Sequence, residues 1–518
     1  MAVLLPLLQQ SWQELHKIIF TPLHLLFLFL LLYGFKCIRR NGKANLNLPP
    51  SPPKLPIIGN LRQLGTLPHR SLQALSKKYG HVMFFYFDHA PTLVVSSADM
   101  AREMMKRHDI IFSNRPKTTA NNSLFYGCTD LAFSPYGEYW KQVKKISVLE
   151  LLSLKSVQSF QNSREEEVAI LINKVRDLCP KEVTINLSEL LIENTNNIVT
   201  RCVFGKKFKE GDGKGRSAEL PRKVMVLLAA FFWGDFFPDL GWIDILMGFI
   251  PSLKSTCGEI DAFLDQVVEE HRTMKCDDDE HPHKKDFVDI LLQLQKNGTL
   301  DFELSHDNLK SILLDMLVGG SDTTSTTLKW VMAELIKNPS IMKIAQEEVR
   351  RVVGNKSKID VNDINQMDYL KCTLKESLRL HPPIPLSLPR ETSKSLKFRG
   401  YDIPPKTRVF VNIWAIQRNP KLWDRPEEFI PERFKDNPVD FKGQNFEFIP
   451  FGGGRKGCPG LTFGVASLEY VLANLLCWFN WRLPATNAQG EDLDMTKINA
   501  LTAFRKNPLL LVPILHSS

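Results

Sequence analysis

The chain has 518 residues, 43% hydrophobic and 24% charged, and carries a formal net charge of +9 from 66 basic and 57 acidic side chains. That length allows two or three globular domains, and so mild a charge, spread along the chain, argues against nucleic acid as a partner while leaving an acidic protein or anionic lipid as the complement of a basic surface. Nine cysteines, an odd number with no C-x-x-C pair, argue against a disulfide framework or a zinc ribbon and for a reducing compartment.

Residues 1–17 form a short lead. The run 18–35, IIFTPLHLLFLFLLLYGF, is 18 residues long and close to what a membrane helix needs. Lys36, Arg39, Arg40 and Lys43 follow it, which places the C-terminal side in the cytosol. A cleaved signal peptide fits less well, because the basic cluster lies after the apolar run and no small-residue cleavage site appears. The expectation is a single N-terminal transmembrane anchor. Residues 36–56 then form a basic, proline-rich hinge, in which LPPSPPKLP holds five prolines and makes a stiff extended spacer. The remaining 57–518 form the globular body. With that body in the cytosol, the N-x-S/T sequons at Asn121, Asn186, Asn297 and Asn355 carry no glycan.

Within the body, Leu72–Tyr79 reads as a helix, and His81–Phe87 and Thr92–Ser96 read as a hairpin. Beyond them the pattern is mostly helical: Met100–His108, Tyr139–Leu152, Glu165–Asp177, Leu187–Val203, Glu259–Met274, Phe287–Leu294, Ile341–Val353 and Tyr369–Leu380. A second β-rich patch is predicted at Leu396–Arg399 and Arg408–Ile413. The fold class is mainly α with a small β-rich subdomain. Val224–Trp242 is densely apolar and aromatic, whereas Cys276–Lys285 is rich in metal-ligand residue types but lacks apolar framing and reads as a solvated loop.

Leu304–Lys337 contains no proline and ends at Asn338-Pro339, as a long helix should, with Ser305 as its cap. Its apolar pattern breaks at Gly319-Gly320-Ser321-Asp322-Thr323-Thr324. Each interior glycine costs about 1 kcal/mol, and threonine hydroxyls bonding back to carbonyls bend a helix further. The segment reads either as a packing kink or as a groove opened for a small ligand, with Asp322 and Thr323 as a proton path. Further on, Glu376 and Arg379 lie three residues apart on one helical face.

Near the C-terminus, Pro450-Phe451-Gly452-Gly453-Gly454-Arg455-Lys456-Gly457-Cys458-Pro459-Gly460 sets one cysteine in a glycine-dense, cationic loop just before an apolar helix at Leu461–Phe479. Helix N-terminal dipoles and the two upstream cations both favour a thiolate there. The glycines let a large flat partner approach the backbone. A single soft sulfur ligand suits haem iron; a buried structural cysteine is the bland alternative. Gly452-x-Gly454-x-x-Gly457 spells the dinucleotide fingerprint, but the βαβ context and the acidic residue about 20 positions on are missing.

Phe451-x-x-Gly454-x-x-x-Cys458-x-Gly460 resembles the cysteine signature of the cytochrome P450 family, with Lys456 where arginine is usual. The segment Gly319–Thr324 matches the family's oxygen-activating motif at every position, and Glu376-x-x-Arg379 with Arg433 resembles its E-x-x-R element. Trp140-x-x-x-Lys144 resembles a W-x-x-x-R pattern, again with lysine for arginine. The resemblance covers nearly the whole chain in the expected motif order. It implies a P450-like fold holding haem b (iron protoporphyrin IX), with Cys458 as axial iron ligand and Phe451 and Arg455 beside it. Lys456, Lys144 and Arg390, with Trp140, would hold the propionates. Thr323 would hydrogen-bond bound dioxygen beside acidic Asp322, and Glu376, Arg379 and Arg433 would be structural.

The same resemblance makes Val224–Trp242 a mobile roof and Phe112–Tyr126, Ile384–Leu388 and Asn499–Ala503 the other pocket walls. It implies a plant microsomal monooxygenase of specialised metabolism, anchored in the endoplasmic reticulum membrane. Such an enzyme oxidises a small lipophilic substrate with O2 and electrons from NADPH through a separate flavoprotein reductase. Rearrangement or dehydration without external O2, and non-catalytic haem or ligand binding, stay open as alternatives. No further nucleotide fingerprint occurs in the chain.

Overall fold

This computed structural model describes residues 46–516 apart from 56–57, 88–89, 207–218, 278–284, 299, 301 and 485–492, together with His24 and Phe27. The expected lead and anchor therefore lie outside the described residues, those two positions excepted, as does most of the acidic loop after Cys276.

Helices dominate the rest. Those that build the site or pack beside it are α1 (Glu138–Ile146), α2 (Leu187–Phe204), α3 (Leu220–Ala229), α4 (Phe249–Asp277), α5 (His306–Lys337), α6 (Asp368–Leu380) and α7 (Leu461–Trp478). Helix α5 runs unbroken for 32 residues through the centre. Its start is fixed by a capping box: Ser305 accepts from Asn308 N while Asn308 accepts from Ser305 N. Asn338-Pro339 ends it, as predicted. The helix continues through the glycine pair, where the apolar pattern breaks. Gly320 faces α2, where a Cβ would lie 2.9 Å from Val199 Cγ2, so the missing side chain lets two helices approach. Gly319 has nothing within 4 Å of its Cβ position and faces open space.

Helix α7 is long and apolar enough to cross a membrane, with mean hydropathy 1.4, but Leu468, Val471, Leu472, Leu475 and Leu476 along it are buried in the main core. Two predicted helices end in wider, π-type turns, at Glu103–Arg107 and Ser147–Leu151. At the second, Ser147 Oγ donates to Val143 O at 2.9 Å and so competes with the regular helix ladder.

Among the described residues the β structure is not one subdomain but four small sheets. The largest joins β1 (Val82–Phe87), β2 (Ala90–Val95), β3 (Arg390–Glu391) and β4 (Arg408–Val411) in the order β1-β2-β4-β3. β1 and β2 form the predicted hairpin, β4 lies parallel to β2 with Leu93 opposite Val409, and β3 pairs antiparallel to β4 with Arg390 opposite Val409. The predicted strand Arg408–Ile413 stops at Val411, because the Asn412 side chain accepts from Ala415 N and caps a short helix at Ile413–Ile416. A two-stranded hairpin, β5 (Lys497–Asn499) and β6 (Ala503–Arg505), sits against α5.

Candidate active site

The cysteine loop is a rigid, self-bonded turn. Cys458 N donates to Phe451 O at 2.9 Å and Gly457 N to Gly454 O at 3.1 Å. Gly454 has φ +67°, and a Cβ there would stand 2.7 Å from Asp109 Oδ1 and 2.9 Å from Met105 O, so the position admits only glycine. Buried Asp109 clamps the loop: its Oδ2 accepts from Arg455 N at 2.9 Å and Arg455 Nη1 at 3.0 Å, and its Oδ1 meets Arg390 Nη1 at 3.4 Å.

Cys458 Sγ has accessible surface, but that surface faces inward, onto a cavity of about 280 Å³ between the loop, α5 and the roof. Burial pushes the thiol above its ordinary value, and the Gly460 N–H just ahead of α7 pulls it down. The expectation that Arg455 and Lys456 stabilise a thiolate is corrected here. Arg455 turns outward to Asp109 and is 47% exposed, while Lys456 Nζ donates to Ser134 O at 2.7 Å and lies 4.2 Å from the Trp140 ring centroid.

The cavity wall is mostly apolar. Phe125 and Phe133 come from the segment before α1, Met225 and Leu228 from α3, Ile384 and Leu388 from the loop after α6, and Leu501 from the β5–β6 turn. Into it face Arg115, Lys144, Arg390 and Lys456, with Trp140, Phe451 and Thr323. Trp140 stands between two of these cations, with Lys144 Nζ 5.2 Å from its centroid and its own Nε1 donating to Leu131 O at 3.0 Å. Arg390 Nη2 donates to Gly453 O at 2.6 Å, and Lys144 Nζ to Arg455 O.

These cations crowd one another. Burial, and then repulsion by Arg115 and Arg390, push Lys456 down to about 6; burial and Arg390 push Arg115 down to about 9. Arg115 falls within the expected wall segment Phe112–Tyr126 but was not singled out; its guanidinium donates to Ala132, Leu388 and Pro389 carbonyls. A missed wall residue is Asp315, whose Oδ2 accepts from Leu131 N at 2.6 Å and Ala132 N at 3.3 Å. Burial, then neighbouring buried Asp130, push its carboxyl well up. It precedes Gly319 by four residues, one helical turn on the same face, a spacing that could have found it.

On α5, Thr323 Oγ1 donates to Gly319 O at 2.6 Å and lies in the cavity wall. Asp322 is turned away, toward Thr502, and burial pushes its carboxyl up. Glu376, Arg379 and Arg433 lie together. Glu376 accepts from Arg379 Nε at 2.7 Å, Arg379 Nη2 at 2.8 Å and Arg433 Nε at 3.0 Å. Arg379 also donates to the carbonyls of Gln417, Pro426 and Glu428, which ties α6 to the chain leading into the cysteine loop.

An iron porphyrin fits this site. The wall offers one soft sulfur and a set of mutually repelling cations that two carboxylates would complement. Gly319 and Gly464, both in the wall, have nothing within 4 Å of their Cβ positions.

The cytochrome P450 family model matches residues 49–506. Over 99% of both chains, this one is 51% identical to the phenylacetaldehyde oxime monooxygenase of Prunus mume. It is 51% identical to cytochrome P450 71A1 of Persea americana, over 89% of this chain and 92% of that protein. Desmethylyatein synthase of Sinopodophyllum hexandrum is 47% identical over 93% of this chain and 96% of its own length. A solved zebra fish cytochrome P450 with progesterone superposes at a TM-score of 0.74 with 24% identity, covering 87% of this chain and 99% of that one; at that identity it speaks for the fold alone.

Proposed function

The chain belongs to the cytochrome P450 family and is a monooxygenase, and from that premise we propose that it inserts one oxygen atom of O2 into a small lipophilic plant metabolite, drawing electrons from NADPH through a separate flavoprotein reductase. The observation that carries the reading is the single thiol of Cys458 opening into an apolar cavity whose wall also contains Thr323 of α5.

Haem b is the cofactor these residues suit. Cys458 Sγ would hold the iron, and Arg115, Lys144, Arg390 and Lys456 would meet the propionates. When bound, thiolate-ligated haem iron supplies the reductive cleavage of dioxygen. The chain's own part is binding and proton handling. Phe125, Met225, Leu228 and Leu501 exclude water from the chamber. At rest the Thr323 hydroxyl donates to Gly319 O, so passing a proton to the cavity requires it to turn from that carbonyl, and the Asp322 carboxyl, held at rest by Thr502, is the acid that would resupply it. The sum is RH + O2 + two electrons + two protons giving ROH + water.

The 51% identical relative named for phenylacetaldehyde oxime makes that arylalkyl aldoxime the first substrate to try. The enzyme sits on the endoplasmic reticulum membrane with its catalytic body in the cytosol. The apolar run 18–35 supports an anchor, and Trp242, Ile245, Leu246 and Met247, each more than half exposed after α3, support a second contact with lipid. The test is oxygen uptake and product formation by the purified haem protein with added reductase and NADPH, over a panel of lipophilic substrates headed by phenylacetaldehyde oxime. Product that appears without O2 consumption, or saturable binding with no product across the panel, overturns the proposal.

A further inference from the structure

The turn between β5 and β6 carries Leu501-Thr502, and the two side chains serve different places. Leu501 lines the cavity. Thr502 is fully buried, and its Oγ1 donates to Asp322 Oδ2 at 2.5 Å across 180 residues of sequence.

The turn is fastened next to this contact, through both backbone polar groups of Ala503. Trp330 Nε1, eight residues or about two turns beyond Asp322 on α5, donates to Ala503 O at 2.8 Å. Ala503 N donates to Pro383 O at 2.8 Å. The Trp330 ring is itself stacked on His381 at 4.2 Å. Thr502 is therefore held against α5 by a frame that does not depend on its own hydroxyl.

Three groups face the Asp322 carboxyl from the surrounding elements: the Thr502 hydroxyl from the hairpin, the Lys329 cation from α5 and the Arg222 cation from α3. Only Thr502 makes a hydrogen bond to it among the described residues; Lys329 and Arg222 act through charge, and Arg222 lies over Phe504 of β6 at 4.7 Å. Burial pushes the carboxyl up, and the Thr502 hydrogen bond is the largest influence pulling it back. A carboxyl that hands on a proton and regains it has to be held in one orientation by its neighbours.

From this geometry we propose that Thr502 is a positioning residue for proton delivery, its hydroxyl orienting the Asp322 carboxyl so that the side chain at position 502 sets how the electrons taken from NADPH divide between water-forming turnover and peroxide release. This rests on the reading of Asp322 and Thr323 as the proton path. It makes the turn more than a wall of the substrate chamber, with residue 501 serving the substrate and residue 502 the proton path.

The test replaces Thr502 by Val, which keeps the shape and removes the donor, and by Ser, which keeps the donor. The first readout needs no substrate: the infrared band of the protonated Asp322 carboxyl in the ferric haem protein, assigned by its loss in Asp322→Asn and followed against pH. Removing a hydrogen bond to the charged form raises the carboxyl's midpoint, and one hydrogen bond to a charged group corresponds to about one to two pH units. Thr502→Val is expected to show that rise and a several-fold increase in hydrogen peroxide released per NADPH with added reductase. Thr502→Ser is expected to stay with the wild type in both. Should Thr502→Val fail to give folded haem protein, Thr502→Ala reads the same two quantities.

If Thr502→Val leaves midpoint and peroxide yield unchanged while Asp322→Asn raises peroxide, the inference falls and the proton-path reading stands. If Asp322→Asn itself leaves the peroxide yield unchanged, the proton-path reading falls and the inference with it.

Discussion

Glu376→Gln tests the frame beneath the cysteine loop. Glu376 and Arg379 are fully buried, and Arg433 is 10% exposed. Oε1 accepts three hydrogen bonds, from Arg379 Nη2, Arg433 Nε and Ile430 N, and Oε2 accepts one from Arg379 Nε. A glutamine can keep its oxygen at the Oε1 position. Its NH2 then meets Arg379 Nε donor to donor, and the only carboxylate between two guanidinium groups is gone. Breaking a buried pair by removing one partner costs about 3–5 kcal/mol, because the other charge stays buried and uncompensated. The internal control is Glu193→Gln on the Lys174–Glu193 pair, whose side chains are 45% and 49% exposed and whose loss costs under about 1 kcal/mol. With a urea m-value of about 3 kcal/mol/M, the core variant loses about 1–1.7 M in midpoint and the control about 0.3 M or less. Urea titration of both, followed by loss of the haem absorbance, reads the difference. Equal midpoint shifts would refute the argument that Glu376 is held by charge rather than by shape.

Cys458→Ala should abolish the thiolate-type absorption band of the reduced carbon monoxide complex; an unchanged band removes the assigned ligand. Gly320→Ala should lose about 1–3 kcal/mol to overpacking against the stiff, buried Val199. Gly319→Ala, which meets nothing within 4 Å, should gain up to about 1 kcal/mol of helix propensity while its methyl shifts ligand affinity in binding titrations. Thermal melts that rank the two the other way would contradict this. His69 is fully buried, and both its ring nitrogens lack a hydrogen-bond partner; burial, with Lys497, Arg70 and Arg418 nearby, pushes its pKa down to about 3. The unfolded chain therefore binds a proton below about pH 6.5 that the folded chain refuses until about pH 3, so stability is lost as pH is lowered through that window, by about 1.4 kcal/mol per unit. His69→Phe should flatten the slope by that one proton in urea titrations between pH 4 and 6; an unaltered slope would show that His69 is not the group responsible.

What was legible in the sequence is what local spacing encodes. A spacing of three puts Glu376 and Arg379 on one face of α6, and the proline-free run from Leu304, with Ser305 as its cap, marks α5. The cysteine loop could be read because turn, cations and following helix are contiguous. Its electrostatics could not: sequence proximity suggested that Arg455 and Lys456 serve the sulfur, whereas Asp109 takes the one and Ser134 O with Trp140 the other. Those partners lie more than 300 positions away. The individual contacts of Thr502 and Arg115, both within expected wall segments, could not be read for the same reason, since each acts on a segment that only the tertiary fold brings near. The β-rich part was foreseen in kind but not in layout, because strands of two to six residues pair with partners that no local pattern names.

Helix α5 shows why such long-range contacts gather where they do. A helix buried on nearly all sides must give each face a different neighbour. At Gly320 it gives backbone to α2; at Gly319 and Thr323 it gives space and a hydroxyl to the cavity; at Asp315 it holds the backbone of Leu131 and Ala132; at Asp322 and Trp330 it takes the β5–β6 hairpin. These contacts lie within 16 residues of one helix. Polar groups on such a helix cannot be left unpaired without cost. Asp315 and Asp322, seven residues and about two turns apart, are therefore both capped by donors from distant chain, the first by backbone N–H groups and the second by a side chain that a single substitution can remove. Of the two carboxyls, Asp322 is the one whose environment can be altered without moving the backbone, which makes position 502 the place where proton handling can be changed while the fold is kept.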